Sequence, residues 1–332
     1  MTIVNDATMR ALQQATLDGP ERMRLLTDVP VPVPGPGEIL VRVTAAGVNF
    51  ADVMQTYGTY GGGPAAPYLA GFEAVGEVVA LGDGVTVPAI GAHVIGTGYG
   101  AFAEYMTMPA AGTVPVPTGW ADEQALGLVL NWATALAALK PLGRVGAGET
   151  VLIHAAAGGV GQAAVRMARH YGATVIATAS PGKHDTVRKL GADHVLDRGA
   201  ADVTSEVLRL TSGVGADLVL ESVGGTTLAA SLAATRRVTG RVVVYGLAGG
   251  EASITNADLV FRHQIQVIGL HIGVLAQAAP EVFSGLLDEL HSLVAAGVYT
   301  PDEPSVHDLA EGPEVLARLA AGVTTGKLAL RP

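Results

Sequence analysis

The chain contains no cysteine. That excludes disulfides, thiol nucleophiles and cysteine-ligated zinc. Aromatic residues are scarce, at 5%, so the core must be built of Ala, Val and Leu. Positive charge is also in short supply: 20 Lys and Arg stand against 30 Asp and Glu, a formal charge of −10. No basic cluster is longer than Arg236-Arg237. Nucleic acid and anionic membranes are therefore not expected as partners. No window reaches the roughly 18 uninterrupted apolar residues of a membrane span. The N-terminal stretch MTIVNDATMRALQQ has no basic patch followed by an apolar core, so no signal peptide is expected. These absences predict a cytoplasmic protein.

What is present points to a globular chain of two domains. There are 332 residues, 49% apolar, with 44 glycines and 18 prolines that punctuate without a strict period. Residues 1–125 read as β-rich. Segment 38–43 alternates, and 74–80, 92–95 and 101–106 are short apolar runs separated by Gly or Pro. VPVPGPG at 31–37 cannot be helical, because proline lacks the donor and clashes with the preceding turn. GGGPAAP at 61–67 reads as a loop. Many short strands with Gly/Pro turns predict a barrel-like or sandwich fold.

From about residue 125 the pattern changes. Segment 123–139 is helical in composition, and strands then alternate with helices. Strands are expected at 151–155, 174–178, 194–196, 217–221, 241–245 and 265–270. Helices are expected at 161–171, 183–190, 202–211 and 226–234. Such alternation predicts a parallel sheet covered on both faces. The last 60 residues hold a helix near 280–296 and the closing GKLALR at 326–331; they are expected to return to the first domain.

The strand VLIHA runs into Ala156-Ala157-Gly158-Gly159-Val160-Gly161 and then a helix. This is a variant of the Gly-x-Gly-x-x-Gly dinucleotide fingerprint, with Ala156 in the first glycine position. A tight turn must bring backbone N–H groups next to a pyrophosphate. Gly158 lets that backbone approach, Gly161 lets helix pack on strand, and the helix N-terminus (Gly159, Val160) adds free donors and partial positive charge. An NAD site would place Asp or Glu at the end of the next strand, about 20 residues on. Thr178-Ala179-Ser180-Pro181-Gly182-Lys183 offers none, and Arg198 follows the third strand. A hydroxyl and two cations suit a 2′-phosphate, which predicts NADPH. Ser180-Pro181 is equally an N-cap and first-turn pair, and Lys183 equally a surface lysine.

HAAAGGVGQAA at 154–164, GVNFADV at 47–53 and GFEAVGEVVALGDGV at 71–85 together resemble the medium-chain dehydrogenase/reductase superfamily. The resemblance is to its zinc-free quinone oxidoreductase branch, of which zeta-crystallin is a member, and it runs from about residue 22 to the end. It implies an α/β fold: a doubly wound Rossmann sheet at 127–270 inserted into a β-rich GroES-like barrel domain at 1–126 and 271–332. It implies an active site in the cleft between the domains, and a homodimer joined through strand 265–270. Zinc members use Cys and His ligands with a Gly-His-Glu stretch. Here the stretch is Gly71-Phe72-Glu73, and no metal is expected. His93 and His154 are read as satisfied core or near-core residues.

Without a Lewis acid, reduction of an already electrophilic quinone or enone is the better fit. Hydride from the nicotinamide adds to the conjugated acceptor, and donors near its oxygen stabilise the charge that develops. Asn49 and Tyr60 match family positions that line the cleft and are the candidate catalytic donors. Phe50 and Met54 match the nicotinamide side, and Thr134 a position near the cofactor. Ser222, Val223, Tyr245, Gly246 and Leu247 lie at sheet C-termini where the family contacts its cofactor, as it does again at Leu270, His271 and Ile272. Lys327 matches a closing Gly-Lys that reaches toward the cofactor. Asp52 and Glu73 are expected to hold backbone. Short-chain dehydrogenases are disfavoured, because no tyrosine has a lysine four residues on. Gly-x-Ser-x-Gly is missing at 220–224. The alternatives are an enoyl-thioester reductase of the same superfamily and a non-catalytic, crystallin-like NADPH-binding protein.

Overall fold

The computed structural model describes residues 7–199, 202–301 and 303–332; residues 1–6, part of the stretch read for a signal peptide, lie outside them. The chain forms two compact units, Met1–Leu130 with Pro301–Pro332, and Asn131–Thr300.

The first unit begins with β1 (Thr8–Gln14), β2 (Met23–Pro30) and β3 (Glu38–Val48), followed by α1 (Phe50–Thr56). Then come β4 (Tyr68–Leu69), β5 (Glu73–Leu81), β6 (His93–Thr97), β7 (Tyr105–Pro109) and β8 (Val114–Pro115). Alternation on β3 places Ile39, Val41 and Val43 in the core, where they pack with Val78, Val94 and Phe102. The expected strand at 101–106 starts four residues late. Phe102 instead bonds across to the first sheet, its N–H donating to Ala70 O (2.9 Å) and its carbonyl accepting from Leu12 N–H (2.8 Å). The segments that form β1, β2 and α1 carried no reading as elements.

The second unit opens on α2 (Ala133–Leu139) and continues β9 (Thr150–Ile153), α3 (Gly159–His170), β10 (Thr174–Ala179), α4 (His184–Lys189) and β11 (His194–Asp197). It proceeds through α5 (Val203–Leu210), β12 (Leu218–Glu221), α6 (Gly225–Ala234), β13 (Arg241–Val244) and β14 (Gln266–Gly269) to α7 (Ile272–Ala278) and α8 (Pro280–Ala295). The six strands are all parallel, in the order β11-β10-β9-β12-β13-β14. In sequence terms this is 3-2-1-4-5-6, the doubly wound Rossmann order, with its topological switch between β9 and β12. Val151, Leu152, Ile153, Val175, Ile176, Ala177, Val219 and Leu220 are fully buried, as a sheet covered on both faces requires.

The chain then closes with β15 (Ser305–Asp308), α9 (Gly312–Ala320) and β16 (Leu328–Arg331). β16 pairs antiparallel with β3, Leu328 opposite Val48. This returns the C-terminal segment to the sheet β15-β16-β3-β5-β6-β8, with β7 also on β3. Residues 271–300 differ from the expected division and cluster with the second unit. Leu286, Leu290 and Leu293 make α8 a buried stripe, α8 packs on α2, and Tyr299 stacks on Trp132 with ring centroids 3.6 Å apart.

The helix expected over 123–139 is broken into a 3₁₀ turn Asp122–Ala125, a π-helical stretch Leu128–Trp132 and α2. Gly127 causes the break. Its φ of +93° is left-handed, and its N–H donates to Glu73 Oε1 (2.7 Å) rather than to a helical carbonyl.

Candidate functional site

In the second unit β9 feeds a sharp turn that α3 leaves. Ala155 adopts φ +49°, a conformation sparsely populated by non-glycine residues and concentrated at functional turns. The left-handed position is thus Ala155, one residue before Ala156. Ala156 instead extends the sheet, its N–H donating to Thr178 O (3.1 Å). A Cβ on Gly161 would lie 2.4 Å from Ala155 O and 2.6 Å from Ala156 Cα, so only glycine lets α3 close on the turn. A Cβ on Gly158 would meet only Ala155 O at 3.4 Å; glycine there leaves the main chain bare on its outer side. Gly158 N–H is spent on Ala155 O (3.0 Å), so the main-chain donors this turn can offer are those of the first turn of α3, at Gly159 and Val160. That turn carries no acidic residue. Asn131, which the sequence reading passed over, lies against it: its Oδ1 is 3.0 Å from where a Gly159 Cβ would be.

β10 delivers Ser180 to the N-cap of a 3₁₀ turn, Pro181–Lys183. Lys183 is depressed from the ordinary lysine range, first by burial and then by the like charge of Arg198. Arg198 is positioned after β11 by its N–H, which donates to Ala179 O (3.1 Å). The Ser180 hydroxyl and the cations Lys183 and Arg198 thus follow the ends of β10 and β11, and β10 ends without a carboxylate.

At the ends of β12 and β13 the loops are stitched together. Ala248 N–H donates to Ser222 O (3.1 Å), Gly249 N–H to Val223 O (2.6 Å) and Gly225 N–H to Gly250 O (3.0 Å). A Cβ on Gly246 would lie 2.7 Å from Ser222 O, so the two loops meet at close range. The Tyr245 hydroxyl is pushed up to about 12, chiefly by burial, against a hydrogen bond with Ser222. Leu247 follows in the same loop. Leu270 N–H donates to Val244 O (2.8 Å). His271 caps α7, its Nδ1 accepting from Val274 N–H (3.2 Å), with Ile272 as the first helical residue. Thr134 is buried in α2. His154 is buried between Thr178 Oγ1 (3.1 Å) and Ser231 Oγ (3.0 Å), and burial lowers it to about 4, so it is a neutral core residue. His93 departs from the core reading: it is exposed, with Nδ1 2.8 Å from Asp122 Oδ2.

In the first unit Asn49 precedes α1, with its backbone N–H donating to Asp52 Oδ2 (2.7 Å). The amide has two N–H bonds, and both find acceptors within the unit: Glu73 Oε2 (3.0 Å) and Gly47 O (3.2 Å). Lys327 Nζ donates to Asn49 Oδ1 (2.8 Å) and to Glu73 Oε2 (2.6 Å). Glu73, fully buried, thus ties together β5, the residue before α1, Gly127 and Lys327. As expected, Asp52 and Glu73 hold backbone; the Glu73–Lys327 pairing was not foreseen. Phe50 and Met54 are half-buried, one helical turn apart. Tyr60, in the loop after α1, is half-buried, and its hydroxyl is raised by burial, then by Tyr99 and Asp52. Among the described residues no three His, Asp or Glu side chains gather as a metal site.

Comparison with known proteins places this geometry in a family. Residues 35–118 match the model of the alcohol dehydrogenase GroES-like domain, and residues 159–292 that of the zinc-binding dehydrogenase. A Pseudomonas syringae quinone oxidoreductase is 32% identical, with a TM-score of 0.91 over 98% of this chain and all of that one. A mycobacterial protein complexed with NADPH is also 32% identical, with a TM-score of 0.92 over 98% of this chain and all of that one. The CurK enoyl reductase is 27% identical, with a TM-score of 0.89 over 97% and 99%. A Mycobacterium tuberculosis mycocerosic acid synthase-like polyketide synthase is 36% identical over 301 residues, 90% of this chain; the chain spans only 14% of that protein's length. The chain belongs to the quinone oxidoreductase branch of the medium-chain dehydrogenase/reductase superfamily, and is an oxidoreductase by that membership. No helix among its described residues is long and apolar enough to cross a membrane.

Proposed function

We propose that this chain binds NADPH and, without zinc, catalyses reduction of a conjugated carbonyl compound, a quinone or an enone. The carrying observation is the pair Lys183 and Arg198 beside Ser180, where an NAD site would hold an acid. The turn at 155–161 supports the same reading. It leaves main chain bare at Gly158 and offers the first-turn amides of Gly159 and Val160 to a diphosphate. The bound nicotinamide supplies the hydride.

The chain's own residues bind and orient. Ser180, Lys183 and Arg198 take the 2′-phosphate. Thr134, Ser222, Val223, Tyr245, Gly246 and Leu247 position the dinucleotide, together with Leu270, His271 and Ile272. Phe50 and Met54 offer an apolar wall. Tyr60 donates a hydrogen bond to the substrate oxygen, where charge develops. Asn49 is oriented by Lys327 and Glu73 rather than left to rotate, so its position in the site is fixed. The absence of cysteine, with Phe72 where zinc members carry histidine, supports metal-independent chemistry. The exposed edge strand β14 supports a homodimer.

A second reading, an enoyl-thioester reductase, is favoured by the likeness to the CurK enoyl reductase. A steady-state screen of quinones, simple enones and enoyl thioesters with NADPH separates the two. Turnover of quinones or enones is the expected result. Turnover confined to thioesters selects the second reading, and NADPH binding without turnover of any acceptor makes the chain a non-catalytic binder.

A further inference from the structure

The turn proposed to receive the diphosphate depends on Ala155, a non-glycine residue held at φ +49°. Such a conformation persists only where the surroundings over-determine it. The Ala155 side chain is exposed, so packing of its own methyl does not hold it there. The residues on either side of it are fastened instead. Along a regular strand, N–H groups two residues apart point to the same flanking strand. Here His154 N–H donates to Leu220 O of β12 (3.2 Å), whereas Ala156 N–H donates to Thr178 O of β10 (3.1 Å). β12 and β10 lie on opposite sides of β9. The left-handed Ala155 therefore makes the chain change sides between His154 and Ala156, and this reversal starts the turn. Thr178 holds both flanks of it. Its carbonyl takes the Ala156 N–H, and its hydroxyl oxygen lies 3.1 Å from His154 Nδ1.

On the far side of the ring, His154 Nε2 lies 3.0 Å from Ser231 Oγ of α6. Ser231 spends its hydroxyl hydrogen on Thr227 O (2.8 Å), so its Oγ accepts from Nε2–H. A neutral imidazole carries a single N–H, which leaves Nδ1 as an acceptor for the Thr178 O–H. Burial, which lowers His154 to about 4, keeps the ring neutral. His154, Thr178 and Ser231 are all buried, so water does not compete for these bonds, and a partner removed from either ring nitrogen is not replaced by solvent.

We infer that His154, as the Nε2–H tautomer stapled between Thr178 and Ser231, is a positioning residue for dinucleotide binding: it holds Ala155 left-handed and so presents the first turn of α3 to the diphosphate. This rests on the reading of the chain as an NADPH-binding reductase. The imidazole acts through the main chain of the turn, not on the coenzyme itself. The diphosphate is common to NADPH and NADH, so loss of the staple weakens both coenzymes alike, unlike loss of Lys183.

The test uses the full chain and Thr178→Val, an isostere that keeps the carbonyl and removes the hydroxyl. Fluorescence titration should show Kd raised about fivefold for NADPH and by the same factor for NADH, as loss of a neutral hydrogen bond implies. Thr178→Ser, which keeps the hydroxyl, should restore both affinities. Glycine adopts the left-handed conformation without strain. In an Ala155→Gly background, Thr178→Val should therefore change either Kd by less than about twofold. The melting temperature should still fall there, because a ring nitrogen is still left bare in the core. A histidine that served packing alone would give the same fall in melting temperature without this rescue of binding. Where Thr178→Val does not fold, Ser231→Ala strips the other ring nitrogen of its acceptor and carries the same expectations. Nitrogen NMR of the histidine-labelled parent should show His154 protonated at Nε2 and bare at Nδ1. A protonated Nδ1, affinities unmoved by the substitutions, or losses that persist in the Ala155→Gly background overturn the inference while the functional reading stands. A parent that binds neither coenzyme overturns the functional reading and the inference with it.

Discussion

Lys183 and Arg198 are like charges held near one another, at a cost that a bound anion would reverse. The 2′-phosphate of NADPH is that anion in the proposed function. Replacing Lys183 by Ala should raise the NADPH Kd by tenfold or more, as loss of a charged hydrogen bond worth about 1.5–3 kcal/mol implies. NADH should be affected less than about twofold, since it offers no phosphate to lose. Fluorescence titration with both coenzymes checks this, and equal losses would remove the 2′-phosphate role. Ser180, Lys183 and Arg198 were legible in the sequence because each follows directly from the end of a strand that periodicity reveals. The Glu73–Lys327 pair was not. Its partners are 254 residues apart, and nothing local marks a glycine-flanked lysine near a C-terminus as the counter-ion of a buried glutamate. The sequence reading placed Lys327 toward the cofactor from its closing Gly-Lys alone; that its ammonium also donates to Asn49 and Glu73 is visible only in the fold.

Among the elements, α3 and the turn before it carry the most consequence. Gly161 sits where a Cβ would overlap main-chain atoms of Ala155 and Ala156, so neither a rotamer change nor a flexible neighbour can relieve the clash. Gly161→Ala should cost at least about 2 kcal/mol, the middle of the range for overpacked sites. It should appear as a lowered thermal midpoint together with weakened dinucleotide binding. Gly158→Ala meets only one contact at 3.4 Å. It should leave the midpoint within about 0.5 kcal/mol of the parent, and any loss should fall on cofactor binding. Calorimetric melting of both variants distinguishes a packing glycine from a ligand-facing one. Most strands and helices of the second unit were readable, because burial on both faces of a parallel sheet writes apolar runs between glycine joints. The broken helix at 123–139 was not, because the break depends on a hydrogen bond from Gly127 to a residue 54 positions away. The seven-residue α1 is too short for a periodic signal.

The second unit as a whole is a sheet with two edges, β11 and β14. An exposed parallel edge carries a row of unpaired main-chain groups, a template for another strand. If the proposed homodimer forms there, Ile268→Lys in β14 should convert the sedimenting species from dimer to monomer while the circular dichroism spectrum is retained. A variant that remains dimeric excludes this edge as the interface. The order β11-β10-β9-β12-β13-β14 follows from local rules: right-handed crossovers and the packing of helices on both faces leave few arrangements for alternating strands and helices.

By itself the sequence determined the alternating architecture, the glycine turn, the cations that follow the next strands and the impossibility of cysteine chemistry. Each is written in residues close together along the chain. Only the tertiary structure decided that the last strand would join β3, that residues 271–300 would stay with the parallel sheet, and that Asn49, Asp52, Glu73 and Lys327 would share one buried network. Those outcomes depend on burying apolar stripes and pairing charges between segments far apart in sequence, and such pairings exist only once the chain has folded.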